Sequence, residues 1–190
     1  MTPMDWYMTT KKNQTEMKES NLTKVKTELR KFDKEKLVDL IAELYRKHKP
    51  VKDFFDFYFQ PDEQGLFQKH KEKVEEAFFP KRGFQFKLKD ARHAISEFKK
   101  YEPSAILVAD LMLFYVECGV KFTNEYGDID ERFYSSMEKM FEQALSLMSK
   151  EDLLGEFQKK AKQVLLDADR TGWGFPDTLN DIYSDFYDVD

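Results

Sequence analysis

The chain of 190 residues is 41% hydrophobic and 35% charged, with a formal net charge of -5 at pH 7. This balance is typical of a globular protein of one domain and excludes a disordered composition. A sequence isoelectric point near 5.4 argues against a dedicated nucleic-acid binder. The single cysteine, Cys118, excludes an internal disulfide.

The start of the chain shows no hydrophobic periodicity. We therefore expect a mobile arm at residues 1–21 and a single helical domain at residues 22–190. The arm also lacks the apolar run of a signal peptide. Together with the lone cysteine, this predicts a cytoplasmic protein that does not enter a membrane.

Apolar residues at three- and four-residue steps then predict successive amphipathic helices. Asp33 and Asp62 fit helix N-caps, because their carboxylates accept bonds from the unpaired amides of a first turn. Pro50 fits the first turn of another helix, where its missing N–H costs nothing. Apolar residues alternate over 84–88, which is consistent with a short extended piece.

The driest stretch of the chain is AILVADLMLFYVECGV, which runs from Ala105 to Val120. It is shorter than the roughly 20 apolar residues of a membrane span. We expect a central helix at about 104–126 that is buried by other helices on most sides. Gly127 is its expected end, and Gly119 is the alternative.

Three further helices are predicted after this central one. Asp128 or Asp130 caps the first of them. Ser149 and Asp152 resemble a capping box for the second, and Asp177 starts the last. Short connections place neighbouring helices antiparallel. The sequence therefore predicts an all-α fold, an irregular α-solenoid-like stack of helix hairpins in the manner of HEAT or TPR proteins, in preference to a closed bundle.

Most catalytic signatures are missing from the sequence. It contains no phosphate-binding glycine loop, no G-x-S-x-G and no H-E-x-x-H. The three histidines, His48, His70 and His93, lie in different predicted helices and are flanked by bases. We therefore expect no cofactor and no metal, and we favour a protein that is not an enzyme.

One polar stripe on the central helix is a candidate site. Asp110, Glu117, Lys121 and Asn124 fall within roughly 60° of one another at 100° per residue, and Tyr126 follows them. Glu117 precedes Lys121 by four residues, the favourable order for a helical ion pair. The stripe is either a solvated edge or a polar site.

Two aromatic and basic segments are candidate interaction surfaces. Bases beside rings can grip phosphates, and rings in a turn can anchor a partner. The alternative is that residues 81–92 form an ordinary solvated loop and that residues 173–176 form a turn that fixes the last helix. The residues of this candidate surface are Lys81, Arg82, Lys87, Lys89, Arg92, Trp173 and Phe175.

The strings FFPKRGF and ADLMLFYVECGVKFTNEYGDID resemble those of a bacterial domain-of-unknown-function family. The resemblance covers most of residues 22–170. It implies an intracellular helical protein, and it brings no established activity and no catalytic residues. KFTNEYGDID is the most distinctive string, and it lies at the turn after the central helix.

These observations favour a non-enzymatic module that interacts with another protein. Nucleic-acid association through the basic segment 81–100 is one alternative, although we regard a nucleic-acid partner as disfavoured. A cryptic enzyme with a carboxylate and lysine site on the central helix is the other.

Overall fold

A computed structural model describes residues 21–81 and 85–187, and every regular element within these two ranges is an α-helix. This confirms the all-α prediction, whereas the solenoid-like stacking stays a prediction. Residues 85–87 belong to no helix or strand, and the rest of the predicted extended piece either lies outside the described residues or begins a helix. The helices are α1 (21–29), α2 (Lys34–Lys47), α3 (Lys49–Phe59), α4 (Glu63–Phe78), α5 (Leu88–Lys99), α6 (Ala105–Tyr126), α7 (Glu131–Lys150), α8 (Leu154–Ala168) and α9 (Phe175–Tyr187).

The helices fall into two compact units that divide between Gln60 and Pro61. The first unit contains α1 to α3, and the second contains α4 to α9. Residues 1–20 of the expected arm lie outside the described residues. The arm at 1–21 and the single domain at 22–190 therefore stay predictions.

In the first unit, α2 packs against α3. Asp33 caps α2 as predicted, because its carboxylate accepts a bond from the Lys36 amide at 2.7 Å. Pro50 lies in the first turn of α3. The Tyr45 hydroxyl donates to Asp56 Oδ1 at 2.6 Å and joins the two helices. These contacts define a helical hairpin.

The core of the second unit is built around α6, which packs against α4, α5, α7 and α8. Leu111, Leu113 and Tyr115 on α6 have no exposed surface. The predicted central helix is therefore present. Its end is at Gly127, whose φ of 90° is strained for any residue with a side chain.

Gly119 lies within α6 and serves a different purpose. A methyl group at this position would lie 2.2 Å from Met137 Sδ on α7, so a larger residue would force the Met137 side chain or the two helices to shift. The need for close packing explains a mid-helix glycine, which otherwise costs about 1 kcal/mol relative to alanine.

Helices α4 and α7 begin at capping residues that the sequence predicts. Asp62 accepts a bond from the Gly65 amide at 2.8 Å. Asp130 accepts from the Phe133 amide at 2.8 Å, which selects Asp130 over Asp128 as the cap of α7. Short polar side chains before a helix therefore identify these two starts.

The predicted capping box at Ser149 and Asp152 is wrong. Helix α7 continues through Ser149, and Asp152 adopts the left-handed conformation with a φ of 59°. The Leu153 amide then donates to the Met148 carbonyl at 2.8 Å, which is the Schellman pattern of a helix C-terminus. Helix α8 starts after Leu153 with no side-chain cap.

Candidate functional site

An ion cluster joins α6 to α8 at the predicted polar stripe. Lys160 on α8 contacts Asp110 Oδ1, and its Nζ lies 3.5 Å from Glu117 Oε1. The three side chains are only 27–32% exposed to solvent. Lys160 was not predicted, because it is 50 residues from Asp110 and lies in the polar run QKKAKQ, which resembles any solvated helix face.

The predicted ion pair between Glu117 and Lys121 is wrong. Glu117 pairs with Lys160, and Lys121 Nζ lies 3.9 Å from Glu125 instead. Burial raises the pKa of Glu117, and the Lys160 ammonium partly offsets this rise. The cluster holds two carboxylates and one ammonium, so it carries a net negative charge when both acids are ionised.

Glu117, Lys121 and Asn124 line one groove of about 520 Å³ between α4, α6 and α8. We call this cavity the polar groove. Its lining also includes the rings of Phe79 and Phe114. The ammonium of Lys121 lies 5.0 Å from the Phe79 ring centroid. The groove therefore combines ring surfaces with carboxylates and an ammonium, a lining suited to a ligand with both apolar and charged parts.

Two further side chains define the chemistry of the polar groove. Asn124 Nδ2 donates to the Asp167 carbonyl at 2.8 Å and so ties α6 to α8. Cys118 also lines the groove, and burial raises the pKa of its thiol to about 12. The thiol is therefore protonated at neutral pH, which disfavours a nucleophilic role.

Tyr126 lies apart from the other predicted polar residues. Its ring packs on Phe122 at 4.8 Å between centroids and lines a separate cavity with Phe86 and Ile129. The structure thus brings Glu117, Lys121 and Asn124 into one groove and connects Asp110 to them through Lys160. Tyr126 does not join them.

The basic candidate surface is divided between solvent and core. Lys81 and Lys87 line a cavity of about 740 Å³ that also contains Asp90 and Glu97, and Lys89 is exposed. Arg82 lies outside the described residues. The acids reduce the positive charge that a phosphate would meet in this cavity.

Arg92 contacts the interior. It donates from Nη1 to Ser136 Oγ at 3.0 Å, and Ser136 also bonds the hydroxyl of the buried Tyr115 at 2.8 Å. Phe86, next to the bases, packs on Phe122 and Phe133 at 5.1 and 5.2 Å between centroids. The exposed Arg92 is therefore anchored by a bond to a buried side chain, and the Phe86 ring packs against the core.

The aromatic turn before α9 separates its two rings. Trp173 is 61% exposed and has a φ of 60°. Phe175 is fully buried and packs on Tyr134 at 4.9 Å between centroids. Only Trp173 of this pair presents its ring to solvent, while Phe175 fixes the start of α9 to α7.

The distinctive string KFTNEYGDID ends in a structural clasp. Asp128 Oδ1 accepts bonds from the Gly172 amide at 2.9 Å and from the Tyr134 hydroxyl. These bonds lower the pKa of Asp128, whereas burial and the bond to Asp128 raise the pKa of Tyr134 to about 12. The clasp joins the end of α6 to the turn before α9.

The least expected surface lies on the α2–α3 hairpin. Among the described residues, α2 and α3 contain no buried side chain. The sequence predicts amphipathic helices here, because apolar residues recur at three- and four-residue steps. We define the α2–α3 face by its large exposed apolar residues, which are Val38, Ile41, Leu44, Phe54, Tyr58 and Phe59.

Within residues 21–81 and 85–187, no group of three or more His, Cys, Asp or Glu side chains is arranged to hold a metal ion. In the same part of the chain, no helix combines the length and apolarity that crossing a bilayer requires.

The fold and these surfaces define a class of all-helical protein that has a buried central helix, a polar groove beside it and an exposed apolar hairpin. A family of unknown function (DUF6155) matches residues 17–187, and the chain belongs to that family. The resemblance inferred from the sequence is thereby confirmed at the level of the family. No curated protein and no solved structure matches the chain.

Proposed function

We propose that this protein is a non-enzymatic helical module that binds another polypeptide through the α2–α3 face. The observation that carries the proposal is the exposure of six large apolar side chains, which ranges from 39% to 72%. Several large exposed apolar side chains on neighbouring helices are typical of an interaction site. Helices of 14 and 11 residues are also marginal in water without apolar packing, so a covered face would stabilise the hairpin.

The rings of α3 are arranged for recognition. Phe54 and Tyr58 stack with centroids 6.0 Å apart, and Phe55 and Phe59 stack at 5.9 Å. Each pair spans one helical turn, so the rings restrict one another before a partner arrives. Rigid aromatic side chains of this type lose little conformational entropy on binding and supply much of the energy at interfaces.

Site-specific photo-crosslinking in the host cell tests this proposal. A photoreactive phenylalanine analogue replaces Phe59 on the face or, as a control, Glu43 on the polar side of α2. We expect crosslinks to a second polypeptide, identified by mass spectrometry, from position 59 and not from position 43. Crosslinks from position 59 that stay within one chain would contradict the proposal.

The polar groove supports a second candidate function, the binding of a small amphipathic ligand. Its volume of about 520 Å³ falls within the range of about 300–1,000 Å³ typical of ligand sites. A thermal-shift screen of small molecules tests it. A true ligand should raise the melting temperature of the wild type but not that of Asn124→Leu, whose side chain occupies the groove. Equal shifts in both proteins would argue against the groove.

Nucleic-acid association has weaker support. Arg92 bonds Ser136, and Asp90 and Glu97 share the cavity of Lys81 and Lys87. A cytoplasmic location, which a single cysteine favours, and a bacterial origin remain part of the proposal.

A further inference from the structure

The side chains that line the polar groove carry an excess of negative charge. Four carboxylates and one ammonium line it, so the lining has a net charge of -3 when all five groups are ionised. The acids are Glu75 on α4, Glu117 and Glu125 on α6 and Asp167 on α8, and the base is Lys121. A cleft with one sign of charge attracts ligands of the opposite sign. The lining therefore favours a cation over an anion.

The bases next to the lining do not cancel this excess. Lys160 pairs with Glu117 and also with Asp110, so this cluster adds one base and one further acid. Lys71 adds one more base at the ring of Phe114. With these contacts included, five acids stand against three bases, and the groove remains negative.

Two of the acids in the lining have no base beside them. Among the described residues, no Lys, Arg or His side chain lies within ion-pair distance of Glu75 or Asp167. Lys71 precedes Glu75 by four residues, yet its ammonium lies 4.5 Å from the Phe114 ring centroid instead. The Asp167 carboxylate accepts a bond from the uncharged amide of Gln163 at 2.8 Å. Both carboxylates can therefore bind a cation from solution.

The rings of the groove suit a ligand that is both cationic and apolar. Phe79 and Phe114 are half-buried in the lining, so ring surface lies next to the carboxylates. Each ring already has a lysine ammonium near its face, at 5.0 Å from the centroid for Phe79 and 4.5 Å for Phe114. The electron-rich face of a ring attracts a cation. Rings and carboxylates thus select the same sign of charge, and the rings also offer contact area to an apolar body.

We propose that the polar groove binds a small organic cation, in which an amine or guanidinium group is attached to an apolar body. The cationic group is directed to the carboxylates of Glu75 and Asp167. The apolar body lies on the rings of Phe79 and Phe114. This inference rests on the second candidate function, for which it names the class of ligand.

Three probes of matched structure test the inference by isothermal titration calorimetry on the full-length chain. 4-Phenylbutylamine carries a ring and an ammonium, 4-phenylbutyrate carries the same ring with a carboxylate, and butylamine carries the ammonium alone. We expect 4-phenylbutylamine to bind about tenfold more tightly than either of the other two. The inference is overturned if either comparison probe binds as tightly as 4-phenylbutylamine, or if 4-phenylbutylamine does not bind at concentrations up to about 10 mM.

Two variants of α4 locate the bound cation. Glu75→Gln removes a carboxylate that has no base beside it, and it should weaken the binding of 4-phenylbutylamine about tenfold. Glu72→Gln is the matched control, because it makes the same change in net charge at an exposed residue of the same helix that does not line the groove. This control should keep the wild-type affinity within about twofold. Equal losses in the two variants would overturn the assignment of the cation to the groove.

The variant Asn124→Leu separates a failure of this inference from a failure of the groove as a ligand site. If 4-phenylbutyrate binds the wild type as tightly as the amine and Asn124→Leu abolishes that binding, the class of ligand is overturned and the second candidate function is retained. If the probes bind Asn124→Leu as tightly as the wild type, they bind elsewhere, which overturns both. If no probe binds, the inference is overturned, and the thermal-shift screen decides the second candidate function.

Discussion

The ion cluster of α6 and α8 yields a prediction whose size follows from its geometry. At 3.5 Å and an effective dielectric constant of about 20, the Lys160 ammonium attracts the Glu117 carboxylate by roughly 5 kcal/mol. Desolvation and lost side-chain entropy offset most of this attraction. The cluster is only partly buried. Removing one of its partners should therefore cost an amount of stability between the 0–1 kcal/mol of exposed ion pairs and the 3–5 kcal/mol of buried ones.

We therefore expect Lys160→Met to lower the free energy of unfolding by about 2 kcal/mol at pH 7, a fall of about 4–8 °C in melting temperature. The deficit should shrink in acid. Without Lys160, burial raises the pKa of Glu117 further above its unfolded value, so the folded state binds the proton more tightly. Stability is then lost as pH rises through that pKa and regained as pH falls below it.

Urea denaturation between pH 4.5 and 8 provides the assay. Lys159→Met is the matched control, because Lys159 is the exposed neighbour in the same helix turn and should change stability by less than about 0.5 kcal/mol. Adding Asp110→Asn to Lys160→Met should recover part of the loss, since one uncompensated carboxylate is removed. Equal effects of the two lysine variants, or a deficit independent of pH, would refute the reasoning.

Three further outcomes are expected. Leu111→Ala should cost about 2–5 kcal/mol in chemical denaturation, because the side chain has no exposed surface, and a loss below about 1 kcal/mol would refute the central position of α6. Gly172→Ala should lower the melting temperature, because the new methyl group would lie 2.4 Å from Asp128 Oδ2, and an unchanged value would show that the clasp adapts freely. Burial lowers the pKa of His70, so protonation favours the unfolded state, and stability should fall as pH drops below about 6.5. A pH titration of unfolding should show this fall in the wild type, and His70→Gln should flatten it.

The features predicted well from the sequence are those with local causes. The bounds of α6 follow from one long apolar run and from a glycine that tolerates a positive φ. The caps at Asp33, Asp62 and Asp130 follow from a short polar side chain before an apolar stripe. In each case the decisive atoms lie within one helical turn, so a sequence pattern reports them directly.

The features that were missed depend on contacts between distant segments. Lys160 joins Asp110 across 50 residues, and no periodicity identifies that partner. Trp173 and Phe175 look alike in sequence, yet one is exposed and the other buried, because only α7 packing distinguishes them. Asp152 resembles the acid of a capping box begun by Ser149 but ends the preceding helix, since Asp also tolerates positive φ.

The close contact between Gly119 and Met137 affects how the protein responds to oxidants. Met137 has no exposed surface, so peroxide reaches its sulfur only when α6 and α7 separate. An oxygen added to the thioether at that moment makes the side chain polar and larger, and it would no longer fit beside the glycine backbone. Each transient opening under oxidising conditions would therefore allow Met137 to be oxidised. Chains that carry the sulfoxide would be unable to close the contact between α6 and α7 again.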